Sequence, residues 1–166
     1  MREIKFRAWF AKEKAMVQVD NLELLGRSGH AEVSAKHDFE KGGWYSPLKE
    51  STNRKTVVDG SKNQVPRVVL MQYTGLKDEN GTEIYEGDIV HFVDFDNTGG
   101  LRGDREHTGI VKYQSGIYEI WKNNDSEYYG SDGAFILNHA WLQDDEFEVI
   151  GNIYENPELL EVEANA

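Results

Sequence analysis

The chain has 166 residues and no Cys, and 18 Lys/Arg against 30 Asp/Glu leave it at a formal charge of -12. That length suffices for one domain, or two small ones, with a core that needs no metal or disulfide. The missing Cys excludes a disulfide framework, thiolate catalysis and zinc ribbons, and fits a reducing, cytoplasmic compartment. No apolar run approaches the roughly 20 residues of a membrane-spanning helix.

In chain order, Glu3-Ile4-Lys5-Phe6-Arg7-Ala8-Trp9 alternates charge with bulk. This period of two predicts a half-buried strand, and the segment lacks the apolar stretch of a secretion signal. Ala15 to Val19 is the expected hairpin partner, returning across Ala11-Lys12-Glu13-Lys14, a turn without Gly. From about residue 26 to 64 the chain is polar, with scattered bulk at Phe39, Trp44 and Tyr45. It reads as one long insertion or poorly ordered excursion, of the kind that is functional or disordered when found inside a compact domain. Val65 to Tyr73 resumes a strand, with Pro66 near its start.

Next come two turns. Asn80-Gly81 is a tight-turn signal because both residues accept positive φ, and Glu86-Gly87-Asp88 delivers the chain into the apolar run Ile89 to Val93. Strand-like runs follow at 108–113, 116–121, 134–137 and 147–153, separated by turns, including an expected loop at 127–133. The fold expected is therefore mostly β. Residues 1–69 form an N-terminal β-hairpin region with the insertion, and 70–166 form an SH3-like barrel-type part. Asn156 as N-cap, Pro157, Glu158, Leu159 and Leu160 predict one short C-terminal helix.

Three blocks together resemble the YopX family of phage and prophage proteins. They are Met1 to Trp9; Leu70 to Asp78 with Asn80-Gly81 and Ile84 to Val90; and Glu148 to Leu160. The family pattern has an acidic residue after the Trp, where Phe10 stands here, and a shorter first connection than residues 20–65. The resemblance implies a viral or prophage origin, a predominantly β fold with a barrel-like part, and no established activity. It transfers no catalytic residue.

Charge is divided unevenly along the chain. Residues 1–69 carry 13 Lys/Arg and 9 Asp/Glu, a net +4, whereas 70–166 carry 5 and 21, a net -16. An acidic half of this size repels phosphate backbones and disfavours nucleic-acid binding. It serves solubility, or docks a basic partner.

The chemistry-bearing residues divide into a few groups. Thr74, Asp78, Asn80 and Asp88, with Gly75, Gly81 and Gly87, suit turn building by side-chain bonds to nearby backbone. The same block could present a recognition surface through Tyr73 and Tyr85, with Tyr128 and Tyr129 as further binding residues. His91, Asp94, Asp96, Asp104, Glu106 and His107 have the composition of a divalent-cation site. However, the calcium-loop imitation beginning at Asp94 has Arg105 where the bidentate Glu belongs, and a solvated loop is the favoured reading. There is no nucleophile elbow and no singled-out carboxylate pair, so no cofactor, metal or catalytic residue is assigned. His30, His37 and His139 read as surface or packing residues. The aromatic density of Tyr113, Tyr118, Trp121, Tyr128, Tyr129 and Trp141 reads mostly as core.

The function expected is a non-catalytic accessory scaffold that binds a host or phage protein, including copies of itself. Alternatives are a nucleic-acid module using Lys49, Arg54, Lys55, Lys62 and Arg67, and a metal-dependent enzyme at residues 91–107.

Overall fold

The computed structural model describes residues 3–24, 31–38, 45–52, 54–57, 64–94, 103–121, 135–137 and 147–160. They are mostly β, in curled antiparallel sheets. The chain divides into two compact units, residues 4–72 and residues 73–166 with 1–3.

In the first unit, strands β1 (Phe6–Phe10) and β2 (Ala15–Gln18) pair as an antiparallel hairpin with Phe10 opposite Ala15. The expected return across residues 11–14 is present. Without a Gly in that turn, Lys14 takes the left-handed conformation at φ 52°. Alternation places Ala8 and Phe10 inside, at 0% and 2% exposure. They pack with Ala15, Val17, Val33 and Val68 into one apolar cluster. Strand β8 (Val68–Lys77) lies on the other side of β1, with Ala8 opposite Leu70.

The polar segment 26–64, expected as a long insertion or a poorly ordered excursion, includes strands among its described residues. It carries β4 (Ala31–Asp38), β5 (Tyr45–Ser51) and β6 (Lys55–Val57), and ends on the first residue of β7 (Gln64–Pro66). Strand β3 (Asn21–Leu24) joins β4 and β5 in a sheet of order β3-β4-β5, and β6 pairs with β7. The alternation is present in β4, where Ala31 and Val33 are buried and Glu32 and Ser34 half-buried, but its apolar members are small. Pro47 stands on β5, the end strand of this sheet among the described residues, where a missing backbone donor is tolerated.

In the second unit, β10 (Asp88–Asp94), β11 (Arg105–Gln114), β12 (Ile117–Trp121) and β13 (Phe135–Ile136) form an antiparallel meander. Strand β14 (Phe147–Asn152) returns to the free side of β10, giving the order β13-β12-β11-β10-β14. The inward residues Val90, Phe92, Val111, Tyr118, Ile120, Leu137 and Phe147 cluster with Ile84. Each such fully buried side chain contributes about 1.5–3 kcal/mol. Phe92 is the centre of this core, with ring centroids 4.9 Å from Phe135, 5.4 Å from His107 and 5.9 Å from Phe147.

The expected C-terminal helix is a short 3-10 helix, Pro157–Leu160. Asn156 precedes it, but its side-chain oxygen turns back to accept from the Asn152 N–H at 3.4 Å.

The β11–β12 hairpin turns through two residues, since Gln114 faces Ile117, and both take positive φ, Ser115 at 51° and Gly116 at 94°. This is the primed geometry that matches strand twist, and Asn accepts its first position more readily than Ser. Ser115→Asn is expected to raise the unfolding free energy by about 0.5 kcal/mol. Urea denaturation checks it, and a loss of stability would contradict the turn assignment.

Candidate functional site

The block 73–88 with the chain end 147–160 holds a dense set of polar contacts among the described residues of the second unit, and each part follows from backbone requirements. Strand β8 pairs with β9 (Glu83–Tyr85) at Tyr73↔Tyr85 and again at Lys77↔Glu83. Four steps along β8 match two along β9, so Thr74-Gly75-Leu76 forms a bulge. Gly75 supplies its positive φ of 89°. The Thr74 hydroxyl, buried at 6% exposure, donates to the Ile84 carbonyl at 2.8 Å and accepts from the Leu76 N–H at 3.2 Å. Thr-Gly thus supplies both the conformation and the hydrogen bonds of the bulge.

The turn after β8 is a three-residue loop. Gly81 N–H donates to the Asp78 carbonyl at 3.0 Å, and Asp78 N–H donates to the Thr82 carbonyl at 2.9 Å. Only Gly81 takes positive φ, at 82°. The expectation that Asn80 shares this conformation is therefore corrected. A tight turn followed by a left-handed residue needs it once.

Asp78 is the residue that joins this turn to the rest of the unit. Its Oδ1 accepts from Asn80 N–H at 3.0 Å and Thr82 N–H at 2.7 Å, and its Oδ2 accepts from Val149 N–H at 3.1 Å, across 71 residues. Beside it, Glu79 N–H donates to the Phe147 carbonyl at 3.2 Å. Strand β14 ends the order of its sheet, so these contacts occupy backbone groups on an edge strand.

The second turn works the same way. Asp88 is 1% exposed, and its Oδ2 accepts from Tyr85 N–H at 2.7 Å. Gly87, at φ 78°, donates its N–H to the Val111 carbonyl at 2.8 Å and accepts from Ile153 N–H at 3.0 Å. At the chain end Asn152 is 6% exposed, and its Oδ1 accepts from the N–H groups of Tyr154 and Glu155 at 3.1 and 3.0 Å. Its Nδ2 donates to Glu155 Oε2 at 2.6 Å. Gly151 leaves room for this knot, because a Cβ there would stand 2.7 Å from Asn156 Oδ1.

Of the four tyrosines expected to meet a partner, Tyr73 and Tyr85 are 5% and 2% exposed, with ring centroids 5.4 Å apart. The Tyr85 hydroxyl donates to Glu83 Oε2 at 2.8 Å. Neither ring presents a free face. Tyr128 and Tyr129 lie outside the described residues, as do Trp141, His30 and His139. Sequence alternation alone does not separate a buried tyrosine from a displayed one.

Of the acidic and histidine residues of 91–107, His91 and Asp94 lie on β10, Glu106 and His107 on β11, and Asp104 just before β11. His91 Nε2 is 3.8 Å from Glu106 Oε2, while the His107 ring packs against both Phe92 and Phe135. Asp96 is outside the described residues, and among the described residues no group of three or more His, Asp or Glu could hold a metal ion. In the first unit, Arg54 and Arg67 of the basic set converge on one carboxylate, Glu50, at 3.5 and 3.4 Å. Arg67 Nε also donates to the Lys55 carbonyl at 3.3 Å.

What this arrangement can do chemically is hold backbone. The buried carboxylates of Asp78 and Asp88 accept main-chain N–H bonds, as buried polar groups must when no water reaches them.

Strand β12 also carries a displayed patch. Ile117 and Ile136 are 40% and 47% exposed. They share one face of the sheet, because Ile136 lies opposite Glu119, two residues along the same side from Ile117. On that face Trp121 Nε1 donates to Glu119 Oε2 at 2.9 Å, and Lys112 Nζ lies 4.5 Å from the Trp121 ring centroid.

The chain matches no curated protein. Among solved structures it is similar to the crystal structure of protein EF1440 from Enterococcus faecalis, with 27% identity and a TM-score of 0.55 over 96% of this chain and 99% of that one. The YopX protein pattern matches residues 5–161. That span takes in the Asp78 turn, the Gly87-Asp88 turn and the Gly151–Leu160 ending, and the chain belongs to the YopX family.

Proposed function

We propose that the protein is a non-catalytic accessory component, of phage or prophage origin and acting in the bacterial cytoplasm, that binds a basic protein through the outer face of β11, β12 and β13. The observation that carries this reading is that Ile117 and Ile136, two large apolar side chains 40% and 47% exposed, stand on one sheet face in diagonal register, Ile136 opposite Glu119 and Ile117 two residues before it. Single exposed apolar residues are ordinary, but two on one sheet face with a fixed polar network beside them suit a contact surface. The Lys112–Trp121–Glu119 network holds the long side chains around the pair in one arrangement, which lowers the entropy lost on binding. A net -16 over residues 70–166 sets the sign of the partner: a basic protein is drawn in, while a second acidic face is repelled.

Affinity capture from bacterial cells with the parent chain and with Ile117→Asp/Ile136→Asp tests this. Both positions are exposed, so the variant keeps its circular dichroism spectrum and melting temperature. The expected result is a basic protein held by the parent, released by salt and lost with the double variant. Equal capture by both chains, or capture abolished by nuclease treatment, would overturn the proposal. Self-association is the accompanying proposal, from the net +4 of residues 1–69 against the net -16 of residues 70–166. Light scattering that gives the 19.0 kDa monomer at both low and high salt removes it.

A further inference from the structure

We propose that Asn80-Gly81 is a site of spontaneous, one-way backbone chemistry, that the Asp78 turn holds it in check, and that its conversion frees the edge of β14. The inference is independent of the partner-binding reading.

The reaction needs no catalyst. The amide nitrogen of Gly81 attacks Cγ of Asn80; the N–Cγ bond forms as the Cγ–Nδ2 bond breaks, and the amide proton leaves with Nδ2 as ammonia. Water then adds to one of the two carbonyls of the succinimide ring. Opening returns either an aspartate or an isoaspartate at position 80, the latter with the main chain running through Cγ. Both residues are exposed, and Gly81 offers no side chain to crowd the attack, with nothing within 4 Å of where a Cβ would stand.

The native turn opposes this chemistry at the nucleophile and in the main chain on either side of it. Gly81 N–H, the nucleophile, donates to the Asp78 carbonyl at 3.0 Å. Asn80 N–H and Thr82 N–H on either side are fixed on Asp78 Oδ1 at 3.0 and 2.7 Å. Ring closure requires rotation about the Asn80 main chain, so these bonds must first open. The rate therefore follows the opening equilibrium of the turn.

Conversion has a structural consequence. Either product places a new carboxylate beside Asp78 and Glu79, and the isoaspartate also lengthens the main chain by one methylene inside a three-residue loop. The loop then no longer seats Asp78 Oδ2 on Val149 N–H and Glu79 N–H on the Phe147 carbonyl. Released, these become unpaired groups on the edge of a sheet, open to another strand.

The test incubates the full chain at mildly alkaline pH, natively and in urea, and follows the tryptic peptide 78–102 by mass spectrometry with isoaspartate detection. Conversion at position 80 is expected to be about tenfold faster in urea, the ratio set by an opening cost of about 1.4 kcal/mol. Asp78→Ala accelerates it in the native protein, and Asn80→Gln abolishes it. Equal rates in buffer and urea, or no conversion in urea, overturn the proposal, and this comparison stands even if Asp78→Ala does not fold. Hydrogen exchange at the Val149 amide reads the second half: faster exchange in the converted protein is expected, and unchanged protection refutes the release of β14.

Discussion

Asp78→Ala is expected to lower the unfolding free energy of the 73–166 unit by about 3 kcal/mol, because three backbone N–H groups lose their acceptor at once. Each buried donor left without a partner costs roughly 1–3 kcal/mol. Asn80 and Thr82 are exposed and recover part of their loss from water, which places the total near the lower end of the sum. Asp78→Asn is the informative control. Its remaining carbonyl oxygen can still accept from Asn80 and Thr82, while its NH2 group cannot accept from Val149, so about half the loss should return. Urea titrations should show a lower midpoint at an unchanged slope. A loss below about 1 kcal/mol for the Ala variant would mean that the turn and β14 are not joined through this side chain.

Phe92→Ala should cost still more, about 3–5 kcal/mol, by the combined loss of transfer energy and opening of a cavity. Phe92 is fully buried and touches the rings of Phe135, His107 and Phe147, so no neighbour on a flexible surface can fill the space. Against a total stability of roughly 5–15 kcal/mol the variant should be marginally folded at ambient temperature. Ile150→Ala on β14, at 36% exposure, should stay within about 0.5 kcal/mol of the parent. Thermal melts of the two variants side by side decide the matter, and similar melting temperatures would contradict the core described.

The resemblance read from Met1 to Trp9, from Leu70 to Asp78 with Asn80-Gly81 and Ile84 to Val90, and from Glu148 to Leu160 agrees with the family pattern, which matches residues 5–161. These blocks were legible because turn chemistry is local. Asp78, Gly81 and Asn152 satisfy backbone groups mainly within a few residues of themselves, Thr74 bonds the nearby Leu76 N–H, and Gly75 and Gly87 supply the positive φ of their own positions, capacities that residue type alone states. The strands β1, β2, β8, β10, β11, β12 and β14 were likewise visible, since large apolar residues recur at every second place or in short unbroken runs.

Strands β4 to β6 were hidden by the same rule. In β4 the inward positions are small, as at Ala31 and Val33, and charged neighbours mask the period. Nor did sequence show that Tyr73 and Tyr85 turn inward, that His107 lies among phenyl rings, or that Arg54 and Arg67 share Glu50.

What the sequence by itself determined is thus the strand-rich character, the family and the positions of the turns, all set by side-chain pattern and backbone conformational cost. Only the tertiary structure decided that Asp78 reaches Val149 and Gly87 reaches Val111, and that Ile117 and Ile136 share an exposed face. Each of these depends on the register of strands distant in the chain, and a one-residue shift of register would send every side chain of a strand to the opposite face.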